Sequence, residues 1–404
     1  MKYETVAGLD IGTTKTCAVV AAAQETGFEI LGYGEAPSPG MRKGVVVDLD
    51  ETIKAIESAT ERAERMAGVH VQSVQVAVSG DHLRSTNNRA AVAVHGEDRE
   101  VSHGDVRRVV EASKIINLPP DRQIIHALPR YFTVDGQDGV EDPVGMAGGR
   151  LEVDTHIVTA GTSFITNVLK CVHRAGLDAS GVVFQPLASS AATLLPEEKA
   201  VGVVLLDIGG GTTDIAVYSG GGVIFTATIP VGGAMLTNDI SLGLKTTSAE
   251  AEQIKRVYGV GTTGNGEVTF PVKTLDGRGT KEFTSSHLRQ VAVPRVLETL
   301  RMAKAKIIEN VPRDLVLGEV VITGGTGRLH GIESVAEDIF GLPARVGSPG
   351  SIGGLTQALK QPEYACAIGL ILFAADTDAH GNAYGQRKSS PVARFQSWLG
   401  DLWN

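Results

Sequence analysis

Two short stretches carry residue types suited to holding a phosphate: Gly8-Leu9-Asp10-Ile11-Gly12-Thr13-Thr14 and Leu206-Asp207-Ile208-Gly209-Gly210-Gly211-Thr212-Thr213-Asp214. Glycine lets backbone N–H groups close on an anion because no Cβ stands in the way, and threonine hydroxyls add donors. A bare carboxylate would repel phosphate, so Asp10 and Asp207 make better sense as holders of hydrated Mg²⁺ beside it. One such turn is usually only a tight hairpin, since Gly and Asp populate turns freely. Two in matching settings point to a clamp. Each follows an apolar run (5–9 and 201–206) and precedes another (16–21 and 215–218), which predicts two β-hairpins with these residues at the turns.

Composition bounds what the clamp can belong to. The chain has 404 residues, 42% of them hydrophobic, enough for about two to three domains. A formal charge of −9 opposes general affinity for nucleic acid or for an anionic membrane, so any membrane contact must be local. The three cysteines, Cys17, Cys171 and Cys366, are widely spaced in apolar runs and read as reduced core thiols, with no zinc-type spacing. With no charged-then-apolar leader and no run of 18 apolar residues, the chain is expected to be neither secreted nor membrane-spanning.

The elements that must position the turns follow in order. A third strand over 29–34, a helix over 50–66 and a strand over 71–79 complete a first half of ribonuclease-H type. Residues 87–158 do not fit that plan: strand, a helix from Ser102 with a credible cap, a further strand and a Gly-rich turn describe a separate α+β unit, either a loop insertion or an interaction module. A helix over 162–175 and a strand over 181–184 lead to 185–195, where small residues at helical spacing suggest close packing on another helix. After the second turn come a strand over 222–230, a Gly232-Gly233 turn and a helix over 248–258 with Glu252 and Lys255 three apart on one face; spacing alone favours a surface ion pair. A β-rich stretch and a long helix over 286–310 make a second small unit. A strand over 320–323 ends in Gly324-Gly325-Thr326-Gly327, before a helix over 329–340, a position suited to meeting a ligand. An apolar helix over 364–374 follows.

From 375 to 390 the chain turns polar and reads as a flexible tether. Ser390-Pro391 then opens a helix on which Val392, Phe395, Trp398, Leu399, Leu402 and Trp403 share one stripe. Both tryptophans of the chain lie there. Exposed aromatics after a tether suit an interfacial membrane helix better than one docked on its own core, and Arg387, Lys388 and Arg394 add local positive charge.

The first turn, the connecting helix 185–195, the second turn, the Gly-Gly turn at 324–326 and the final helix occur in the order shown by the superfamily of actin, DnaK-type chaperones and sugar kinases. Within it the whole chain most closely resembles the FtsA family of bacterial cell-division proteins. The cues are Pro186-Leu187-Ala188-Ser189-Ser190, the run from Asp207 to Tyr218, Ala251-Glu252-Gln253-Ile254-Lys255, and residues 320–325. The inserted unit also falls where that family carries its extra subdomain, which favours the interaction module.

The resemblance implies an α/β actin-like ATPase fold: two ribonuclease-H-like halves (1–84 with 160–200; 201–244 with 317–375), the insert at 85–159, a small subdomain at 245–316, a linker at 376–390 and the amphipathic helix at 391–404. It implies ATP and Mg²⁺ as ligands. Asp10 and Asp207 would hold the hydrated metal; Gly12, Thr13 and Thr14 would cradle the β-phosphate side, and Gly209, Gly210, Gly211 and Thr212 the γ side. Gly324, Gly325 and Thr326 would line adenine, Glu252 and Lys255 would face the ribose, and Gln185 would orient the attacking water. An amide is no strong base, so hydrolysis is expected to be slow or negligible. Lys15 departs from actin, whose lysine falls two positions later, at Cys17; phosphate and solvent are both open to it. The implied function is an adaptor on the cytoplasmic face of the cell membrane at the division site. It would polymerise with itself, bind the FtsZ C-terminal peptide on 245–316, around Arg295 to Lys306, and recruit later division proteins, with no nucleic acid involved. Two alternatives use the same clamp: a small-molecule kinase, and a pilus-assembly adaptor of the PilM kind.

Overall fold

The computed structural model describes residues 5–24, 27–95, 98–260, 267–350, 352–354 and 357–383. The stripe from Val392 to Trp403 lies outside the described residues. Chain order begins with β1 (Thr5–Ile11), β2 (Lys15–Gln24), β3 (Gly27–Pro37), a two-residue pair β4 (Met41–Arg42) and β5 (Val45–Val46), α1 (Leu49–Ala67) and β6 (Ser73–Val78). The insert follows: β7 (Arg84–Ala93), α2 (His103–Ser113), β8 (Arg122–Val134), β9 (Gln137–Val140) and β10 (Arg150–Gly161). Next come α3 (Thr162–Arg174), β11 (Asp178–Phe184), α4 (Gln185–Thr193) and α5 (Pro196–Val201).

The second half holds β12 (Val203–Ile208), β13 (Thr213–Ser219), β14 (Gly222–Ile229), α6 (Gly233–Leu244), α7 (Ser248–Tyr258), β15 (Thr269–Lys273), β16 (Thr280–Thr284) and α8 (Ser285–Asn310). It ends with β17 (Glu319–Thr323), a 3₁₀ turn Gly325–Arg328, α9 (Ile332–Phe340), β18 (Ala344–Val346) and α10 (Ala365–Ala383).

The two principal sheets repeat one plan. The first runs β11-β6-β1-β2-β3 and the second β14-β13-β12-β17-β18. In each, three antiparallel strands form a meander and two later strands add in parallel beyond the first. Parallel addition requires a crossover: α1, then the insert with α3, supply it in the first half, and the small unit with α8, then α9, in the second. The insert has its own sheet, β7-β10-β8-β9, with α2 laid on it over Val106, Val109, Phe132, Leu151 and Val153. Ser102 and Asp105 complete the expected cap of α2 reciprocally.

Small residues let α4 and α10 approach closely, as their spacing suggests. A methyl group on Gly369 of α10 would overlap the backbone carbonyl of Ala188 on α4. Cys17, Cys171 and Cys366 are all buried and unpaired. Two expectations need correction. The final helix continues to Ala383, into the stretch expected to be a tether, because Ala374-Ala375 and the following residues carry no proline before Pro391. The helix expected from 329 begins only at Ile332, since Gly331 takes a left-handed conformation (φ 84°) after the 3₁₀ turn. Among the described residues no helix is long and apolar enough to cross a membrane.

Candidate functional site

Both Gly-Thr stretches sit at hairpin turns, between β1 and β2 and between β12 and β13. Their closures match: Gly12 N donates to Lys15 O at 3.0 Å and Gly209 N to Thr212 O at 2.9 Å. The turns face each other. A Cβ on Gly210 would come within 2.5 Å of Thr14 Cγ2, and one on Gly211 within 2.5 Å of Thr13 Oγ1. Backbone of one turn thus meets the hydroxyl side chains of the other, which is possible only with glycine at both positions.

Asp10, Asp207 and Asp214 lie buried around this point. Burial, helped by the neighbouring Asp207, pushes Asp10 up to about 7. Burial also raises Asp207, against the donors Ser189 Oγ and Gln185 Nε2, the latter at 3.2 Å from Asp207 Oδ2. Gln185 and Ser189 are one turn apart on α4, so one helix face holds this carboxylate. Asp214 is likewise pushed up to about 7, mainly by burial, while accepting from Thr228 Oγ1 at 2.5 Å and Ser79 Oγ at 2.7 Å. Ser79 belongs to the first half, so this bond crosses the cleft floor, as does Ser79 Oγ to Thr212 Oγ1 at 3.1 Å.

A carboxyl whose folded pKa is raised stabilises the fold fully below its unfolded value near 3.8, and that contribution is lost as pH rises towards about 7. The ligand-free protein is therefore expected to melt at a lower temperature at pH 8 than at pH 5, the stability lost being on the order of a few kcal/mol for such shifts. Asp10→Asn should flatten that slope in a thermal melt, and an unchanged slope would refute the assignment.

The Gly324–Thr326 turn closes the other side. Gly324 (φ 80°) lies against Asp207, so closely that a side chain there would overlap Oδ1. Thr326 Oγ1 donates to Gly209 O at 3.2 Å, and the α6 N-terminus donates to the same turn, Gly233 N to Gly209 O at 2.9 Å and Ala234 N to Gly210 O at 2.8 Å. Gly325 follows Gly324 at the start of the 3₁₀ turn.

Glu252 and Lys255 do form an ion pair, at 2.6 Å, but not a surface one: the Lys255 side chain is 11% exposed and donates also to Gly233 O and Thr237 Oγ1. Burial lowers the Lys255 ammonium against the pull of Glu252. The pair therefore stands at the α6 N-terminus beside the second turn. Lys15 is directed elsewhere. Its ammonium pairs with Glu35 at 2.8 Å and lies 3.8 Å from the centre of the Tyr364 ring, so neither free solvent nor the turn describes it. Arg295, expected on a docking helix, reaches inward to Asp239 at 2.6 Å.

Sequence reasoning missed Ser79, Ser189 and Thr228 as partners of the buried acids. Only the position of Ser189 one turn after Gln185 offered a signal.

The family model of an SHS2 domain inserted in FtsA matches residues 80–159, and that of the cell division protein FtsA matches 204–369. The cell division protein FtsA of Pseudomonas aeruginosa is 38% identical over 389 residues, covering 95% of this chain and 93% of that one. The chain belongs to the FtsA family. FtsA of Bacillus subtilis is 37% identical (92% of this chain, 83% of its own) and that of Escherichia coli 33% (98% and 97%). Among solved structures, the PilM–PilN type IV pilus biogenesis complex matches with a TM-score of 0.63 at 19% identity (91% and 98% covered). MreB 5 of Spiroplasma citri bound to AMPPNP matches at 0.58 and 13% (96% and 100% covered). These likenesses establish an actin-like ATPase fold, here with the FtsA-type α+β insert.

Proposed function

We propose that this FtsA-family chain is an ATP-binding adaptor that polymerises on the cytoplasmic membrane, anchors FtsZ filaments there and recruits later division proteins. The observation that carries the nucleotide part is the pair of facing Gly-Thr turns with Asp10 and Asp207 buried between them. The donor set fits Mg²⁺-ATP: Gly12, Thr13, Thr14 and Gly209 to Thr212 offer N–H and O–H groups, and two carboxylates held close at a cost in desolvation would be relieved by a hydrated cation. When bound, the metal would neutralise phosphate charge next to these acids. Gly324 to Thr326 would line adenine, and Glu252 and Lys255 would face the ribose. Gln185 donates its amide to Asp207, and an amide cannot act as a strong base, so turnover is expected to be slow.

Membrane attachment rests on the stripe from Val392 to Trp403. Six apolar side chains at roughly 1.5–3 kcal/mol each is an upper bound, because interfacial burial is partial and the helix must be ordered. One copy would bind weakly, and a filament would convert many weak attachments into a firm one through effective concentration. Deleting 391–404 should abolish co-sedimentation of the ATP-loaded protein with anionic liposomes; undiminished sedimentation would refute the membrane role. Capture by an immobilised FtsZ C-terminal peptide tests the partner, and separates this reading from a PilM-like adaptor, which the fold likeness alone would allow. Rapid ATP turnover with a small acceptor would instead indicate a kinase.

A further inference from the structure

β14 is an edge strand of the second half, and an edge leaves backbone N–H and C=O groups to be satisfied. Here side chains of the insert satisfy three of them. Ser85 Oγ on β7 donates to Thr226 O at 2.7 Å and accepts from Thr226 N at 3.3 Å, and Asn87 Nδ2 donates to Ile224 O at 3.0 Å. His156 on β10 completes the seam, with Nδ1 2.7 Å from Asn87 Oδ1 and Nε2 3.0 Å from Thr226 Oγ1. The donors are mutually consistent. Asn87 offers its oxygen, so Nδ1 carries the proton and Nε2 accepts from the threonine hydroxyl. His156 and Thr226 are both buried, so the bond between them replaces water that cannot return, while Ser85 is half-buried and Asn87 lies at the exposed rim of the seam.

Two residues further along the same strand, Thr228 donates to Asp214, the acid of the second hairpin. Asp214 in turn accepts from Ser79, which immediately precedes the insert. A ring therefore closes: Ser79 to Asp214, Asp214 to Thr228, along β14 to Thr226, then to Ser85 and back through the chain to Ser79. The insert enters the fold pinned to the second half at two places, one of them on the floor of the phosphate cleft.

We propose that the insert is a strap whose seating on β14 is coupled to ligand occupancy of the cleft, so that the cleft and any partner of the insert regulate each other. This rests on the nucleotide-site reading above. A movement of the second turn that shifts Asp214 displaces Thr228, and with it the strand to which Ser85, Asn87 and His156 hold. Coupling of this kind is reciprocal: what loosens the seam must change affinity in the cleft by the factor by which the cleft ligand changes the seam.

The test uses the full chain. In the first arm, Mg²⁺-AMPPNP is titrated into the wild type and into Ser85→Ala/Asn87→Ala; the strap predicts a change in affinity of about fivefold or more, and the ligand should alter hydrogen exchange of amides 85–88. Equal affinities with unaltered exchange would overturn it. The second arm needs no nucleotide. Thr228→Val keeps the side-chain shape but removes the donor to Asp214, and should speed exchange at 85–88 relative to the wild type. Unchanged exchange there would overturn the strap even if AMPPNP failed to bind, whereas failure of wild-type binding by itself would refute the nucleotide site and leave this arm to decide.

Discussion

Asp207→Asn is expected to weaken Mg²⁺-ATP binding by on the order of 100-fold, the scale of removing one charge-assisted bond from a desolvated site, while raising the melting temperature of the ligand-free protein. The opposite signs have one cause. Burial disfavours the charge of Asp207, which lies beside Asp10 and Asp214, and a bound cation would offset that cost. Asparagine has nearly the same shape but no charge, which would relieve the ligand-free protein and remove the attraction a metal ion would feel. The deficit should shrink when EDTA replaces Mg²⁺, because the missing interaction is with the cation. Titration calorimetry and thermal melts of the two proteins read both effects; wild-type affinity in the variant would rule out Asp207 as the metal holder.

Gly369→Val should be strongly damaging, with a loss of about 3 kcal/mol or more and a fall in melting temperature of several degrees. The obstacle is backbone: the new side chain meets the Ala188 carbonyl, which cannot rotate aside, so α10 and α4 must separate. Separation would also move Gln185 and Ser189 away from Asp207, so nucleotide affinity should fall together with stability. Gly279→Ala, with nothing within 4 Å of the added methyl, is the control and should be near neutral. Comparable melts for the two variants would show that the helix pair can relax.

The parts of this architecture legible in the sequence are those governed by local rules. Asp10-Ile11-Gly12 and Asp207-Ile208-Gly209 announce their turns through glycine and flanking apolar strands, the bounds expected for α7 are those found, and Ser102 marks the start of α2. The small-residue run at 185–195 conveys the intimacy of α4 with α10. What escapes is what depends on residues distant in sequence. Nothing local to Ser79 says that its hydroxyl will reach Asp214, and Thr226 and Thr228 read as ordinary strand threonines. Glu252 and Lys255 show the limit from the other side. Their spacing correctly gives the ion pair, but its burial against Gly233 and Thr237 depends on how α6 and α7 pack. Lys15 is ambiguous because its partner Glu35 lies on the neighbouring strand β3, which aligns with β2 only once the sheet forms.

The two hairpins share a backbone but differ in what stands opposite the first aspartate: in the ladders Asp10 faces Cys17, and Asp207 faces Asp214. Cys17 packs inward with Val19 and Ala21 of its own half, whereas Asp214 is fastened across the floor to Ser79 of the other. That bond joins those of Ser79 to Thr212 and of Gln185 and Ser189 to Asp207 in a riveted spine. A parting of the halves that spares these bonds would draw Thr13 and Thr14 away from Gly210 and Gly211, as a book opens at its fore-edge.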